Sequence, residues 1–185
     1  MNLEEFIPGV KYHGVNTAKD VSVSGAVTLS GANTFSGATT ISGPVTLSGG
    51  ATINGALVDN VEVVKATNVI TAAESGKTFF LDALAGFEST LPTAAAGLHF
   101  RFIVKTAATS NGYTITGTPA DKIFGTVACS GAEDTVNGVT ADAADNVILV
   151  HGQAKVGDLV EFFSDGTNWY VTGNVNTYAA ITANG

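Results

Sequence analysis

The chain has 185 residues, with 8 Lys and Arg against 16 Asp and Glu, a formal charge of −8. That balance argues against nucleic acid, which is held by neutralising phosphates with Lys and Arg, and against a polybasic grip on anionic membranes. Only 13% of residues are charged, about half the share usual in a soluble domain, so extensive burial between copies of the chain is expected.

The single cysteine, Cys129, cannot close an intrachain disulfide, which fits folding in a reducing cytoplasm. The opening Met1-Asn2-Leu3-Glu4-Glu5-Phe6 is acidic and leads into no apolar core, so a signal peptide is not expected. No run approaches the ~18 apolar residues of a membrane span.

Residues 1–22 place Leu3, Phe6, Ile7, Val10 and Tyr12 around Pro8, Gly9 and Gly14. The segment is too short to own a core and too apolar for a solvated tail. It is expected to be an extended anchor that docks onto a partner surface by strand addition. A cap on the first layer of the following segment is the other reading.

From Val23 to Val58 the chain divides into six hexads: VSGAVT, LSGANT, FSGATT, ISGPVT, LSGGAT and INGALV. Val23, Leu29, Phe35, Ile41, Leu47 and Ile53 hold the first positions, glycine holds every third, and no charged residue occurs. Six is a multiple of the strand period of two but not of 3.6, so the repeat is a β repeat with one apolar face. A single-chain β-helix would spend three hexads per coil and make only two coils, a meagre solenoid. Three chains that each supply one hexad per layer build six layers, a rod of roughly 29 Å at about 4.8 Å per layer. An intertwined homotrimeric stem is therefore expected, with the six first-position residues as its core. Glycine every sixth residue excludes collagen. A plain Ser/Thr/Gly linker would have no reason to keep Leu, Phe and Ile in phase.

From Asp59 to Gly185 short β runs alternate with turns. Strands are expected at Val61–Val64, Thr78–Leu81, His99–Lys105, Tyr113–Thr116, Asn146–His151, Leu159–Ser164 and Trp169–Thr172. Asp165-Gly166 marks a hairpin turn between the last two. The Ala-rich stretches 83–86 and 93–97 are punctuated by Gly and Pro and read as loops. Seven short strands suggest an antiparallel sandwich or jelly roll. The fold class is thus all-β: a hexapeptide-repeat stem over 23–58, then a β-sandwich head over 59–185.

Chemistry-bearing residues are few. His13, His99 and His151 fall in three regions without zinc-site spacing, and His99 reads as structural. Cys129 reads as a small core hydrophobe. Glu133, Asp134, Asp142 and Asp145 form a loose acidic group that matches no EF-hand loop. Trp169 and Tyr170 could stack on a sugar if exposed, but their alternating phase after a tight turn places at least one in the core. Neither a nucleophile elbow nor a phosphate-binding loop occurs. No catalytic residue, metal or cofactor is expected, and the chain is read as a non-enzyme.

The stretch GKTFFLDALAGFESTLPTAAAGLHFRFIVKTA, then GYTITG, and later GDLVEFFSDGTNWYVTG resemble modules at the C-terminal ends of phage virion proteins. The hexads resemble the trimeric β-helical shafts of phage fibres. Together these resemblances cover residues 23 to about 175. They imply a structural protein of the virion, made in the host cytoplasm, and the short stem resembles a head fibre or capsid decoration protein. The expected partners are two further copies of the chain and the major capsid protein. The alternative is a short tail fibre or receptor-binding protein contacting host-surface glycans.

Overall fold

The computed structural model describes residues 60–131 and 138–185, which belong to one compact unit, Ile53–Gly185. The expected anchor and stem lie outside the described residues. The described chain is all-β, with twelve strands and two 3-10 turns. The strands are β1 (Val61–Val64), β2 (Asn68–Val69), β3 (Thr78–Leu81), β4 (Phe87–Thr90), β5 (His99–Val104) and β6 (Tyr113–Thr116). After them come β7 (Ile123–Cys129), β8 (Gly138–Ala144), β9 (Asn146–Leu149), β10 (Leu159–Ser164), β11 (Trp169–Val175) and β12 (Ile181–Asn184).

Seven strands form one sheet in the order β1-β3-β5-β10-β11-β7-β8, and five form the other in the order β12-β9-β6-β4-β2. The first six strands alternate between the two sheets, and strands that share a sheet run parallel. Val61 lies opposite Thr78 and Thr78 opposite Arg101 in the larger sheet. Asn68 lies opposite Ser89 and Ser89 opposite Ile115 in the smaller. The chain therefore winds three times around a common core before it turns to antiparallel pairing through β9, β10 and β12.

This corrects the antiparallel, jelly-roll expectation, because the sheets are mixed. Parallel neighbours need long crossovers, usually through a helix. Here each crossover passes instead through a strand of the opposite sheet. Two of those crossing strands, Asn68–Val69 and Phe87–Thr90, are short and rich in Asn, Ser, Thr and Glu, so alternation of apolar residues does not reveal them. Strands β7, β8 and β12 also go unpredicted, being diluted by Ala, Gly, Thr and Asn. The seven expected strands are all present, with ends moved by a few residues.

Alternation explains the packing. In β5 the side chains of Phe100, Phe102 and Val104 are buried while His99 and Arg101 are exposed. In β10 Val160 and Phe162 point inward and Phe163 outward. The inward residues of both sheets share one core that includes Phe79, Phe102, Phe162 and Trp169 with Tyr113, Leu149 and Ile181. Phe79 stacks on Phe102 at 5.3 Å, Phe162 meets Phe102 edge-on at 5.7 Å, and Trp169 lies 5.7 Å from Phe100. Each such buried side chain stabilises the fold by about 1.5–3 kcal/mol relative to exposure.

Buried polar groups fasten the loops to that core. The Tyr113 hydroxyl accepts from the Ala83 N–H at 2.8 Å and lies 2.7 Å from the carbonyls of Ala83 and Thr106, to either of which it can donate. Asp121 accepts from the Ala94 N–H and the Thr118 hydroxyl, and Asp158 from the N–H groups of Lys155 and Asn176. Gly125 has φ +131, and a Cβ there would sit 2.1 Å from the Val171 carbonyl oxygen. It lies where the β7–β8 register shifts, so the bulge and the close β11 backbone both require glycine.

Candidate functional site

The anchor residues Leu3, Phe6, Ile7, Val10 and Tyr12 lie outside the described residues. So do the stem-core residues Val23, Leu29, Phe35, Ile41, Leu47 and Ile53, together with His13, Glu133 and Asp134. Asp142 is exposed on β8, and Asp145 pairs with Lys122. Among the described residues no group of three His, Cys, Asp or Glu comes together to hold a metal. His151 lies exposed in a turn, and Cys129 is half-buried against the core. Trp169 is fully buried while Tyr170 is 42% exposed, as the alternating phase requires.

The most distinctive surface is the outer face of the larger sheet. Pairing registers set His99 opposite Phe163, Phe163 opposite Tyr170, and Tyr170 opposite Phe124. One aromatic row thus crosses four neighbouring strands, β5, β10, β11 and β7. The His99 and Phe163 rings are nearly parallel, with centroids 6.0 Å apart, and Phe124 lies 6.3 Å from Tyr170. Phe163 is 44% exposed.

Tyr170 is held at the hairpin that precedes it. Its hydroxyl donates to Asp165 at 2.9 Å, and the same carboxylate accepts from the N–H groups of Thr167 and Asn168. The N–H of Asn168, that of Thr167 and the Tyr170 hydroxyl, in falling order of effect, hold the Asp165 carboxyl below the usual carboxylate range. The reciprocal bond from Asp165 pushes the Tyr170 phenol up. The Asp-Gly turn, with Gly166 at φ +104, positions this bracket.

Beside the aromatic row runs a polar one, in which Arg101, Glu161, Thr172, Thr126 and Thr140 are successive cross-strand partners. Arg101 donates through Nε to Glu161 at 2.6 Å. Next to this pair a cavity of about 110 Å³ is lined by Gly76, Lys77, Thr78, His99, Arg101 and Glu161. Lys77 bonds Glu62 at 2.7 Å and Glu74 at 2.8 Å, and those two bonds raise its pKa. Glu74 is lowered by Lys77 and then by the Thr71 N–H.

Sequence reading missed this face, although it singled out Tyr170 and His99 separately. Phe163 follows the buried Phe162, and only strand phase tells the inward ring from the outward one. The row itself depends on cross-strand register, which local patterning leaves open. No family model matches the chain, and neither the curated proteins nor the solved structures contain a match to it.

Proposed function

We propose that the chain is a non-enzymatic structural protein of a phage particle, a homotrimeric head fibre or decoration protein on the outer capsid surface. The observation that carries the reading is the run of six uncharged hexads leading into an all-β head. A β repeat with one apolar face demands a covered core, and three chains winding together supply it. The residue 1–22 segment docks on the major capsid protein, the hexads hold the trimer, and the head projects. Its work is mechanical: bound where capsid subunits meet, it stabilises the assembled state by mass action.

The test uses capsids lacking this protein, with the purified full chain added back. Co-sedimentation with the capsids, and a higher temperature for their disassembly, are the expected results. A chain lacking residues 1–16 should remain a trimer by light scattering but no longer sediment with capsids. Failure of the full chain to bind removes the decoration role, and loss of the trimer on truncation removes the anchor assignment.

A further inference from the structure

The outer face of the larger sheet combines features that a scaffold alone does not need. Exposed apolar residues scattered singly are ordinary, but here four rings fall in register across adjacent strands, two of them more than 40% exposed. A row of charged and hydroxyl groups runs beside them, and a small polar cavity opens at one end. A ligand for this face therefore needs both apolar faces and hydrogen-bonding groups.

Charge narrows the class. Lys77 is neutralised by Glu62 and Glu74, and Arg101 by Glu161. These two cations face three carboxylates, which leaves no surplus positive charge for a phosphate, sulfate or carboxylate. A metal ion would find only His99 and Glu161 in the cavity lining, Glu161 already engaged by Arg101, and among the described residues no third ligand joins them. What remains is an uncharged, amphipathic molecule whose hydroxyls both donate and accept.

We infer that this face is a binding site for a neutral hexose oligosaccharide. One sugar lies against Phe163 and His99, its hydroxyls donating to Glu161 and accepting from Arg101 at the cavity. The chain continues over Tyr170, whose ring is fixed by the Asp165 bond. A few convergent polar groups beside an apolar surface are what orients a ligand of this kind. The inference is independent of the capsid role, since it concerns only the head.

The test exposes the intact protein to immobilised maltotriose, cellotriose, mannotriose and galactotriose, together with sialylated and sulfated glycans. Binding to at least one neutral trisaccharide and to none of the acidic glycans is expected. Phe163→Ala and the near-isosteric Glu161→Gln should each weaken that binding by about tenfold, the scale of one lost contact to a charged group or ring. Both are compared with the parent by circular dichroism, and Glu161→Gln decides if the Phe163 variant fails to fold. No neutral binder, a preference for acidic glycans, or binding indifferent to both substitutions would overturn the inference. So would a change in oligomeric mass with Phe163→Ala, because the row would then be a contact between copies.

Discussion

Tyr113 illustrates how much one polar atom does in this head. Its ring is buried against Phe87, with centroids 5.0 Å apart, while its hydroxyl joins strand β6 to the loop after β3 and the end of β5. Burial pushes the phenol pKa up. Tyr113→Phe leaves the Ala83 N–H without its acceptor and should cost about 1–3 kcal/mol. A lowered denaturant midpoint at unchanged slope would show it. Asp165 acts at the surface, and its effect depends on pH. Its carboxyl is depressed in the folded state, so its contribution is complete above the ordinary aspartate value and is lost as pH falls through the depressed one. Acid titration of the Thr167 and Asn168 amide resonances should therefore report a midpoint below the ordinary value. Asp165→Asn should abolish that titration.

At the scale of elements, sequence patterning identifies strands that alternate strongly and misses those that do not. His99–Val104 carries Phe or Val at every inward position and Leu159–Ser164 at all but Ser164, and both are legible. Gly138–Ala144 offers only Val139 and small residues, and its strand character comes from pairing with β7. The threefold winding was illegible for a different reason. Whether β1 and β3 form a hairpin or parallel turns of a coil depends on Asn68–Val69, two residues with no pattern of their own. The candidate site shares this dependence, since its members come from four strands and are joined only by register. Glycine supplies a sharper test of the same architecture. Gly125→Ala would force a side chain into the Val171 carbonyl at a left-handed φ, costing upwards of about 3 kcal/mol. A variant with the parent's melting temperature would contradict the close β7–β11 approach.

At the scale of the whole molecule, the described residues form a β unit with a continuous core, whereas the hexads are read from the sequence alone as a β repeat whose apolar positions need a partner to cover them. That contrast motivates assembly. In the proposed trimer Phe35 faces the axis, and Phe35→Asp would bring three carboxylates together in an apolar interior, a severe burial of unpaired charge. Light scattering should then find monomers, while circular dichroism still reports the β head. An intact trimer would mean the hexads do not point inward. Among the described residues the winding begins with an edge coil whose Val61, Val63 and Val69 are exposed. Open strand edges invite pairing with other chains.

Cryo-electron microscopy of the virion tests the account most directly, by locating this protein and counting its copies. Three-fold density repeated over the outer capsid surface, with a thin stem and a β-rich head, is the predicted result. Density confined to the tail, or copies that stand singly, would contradict it.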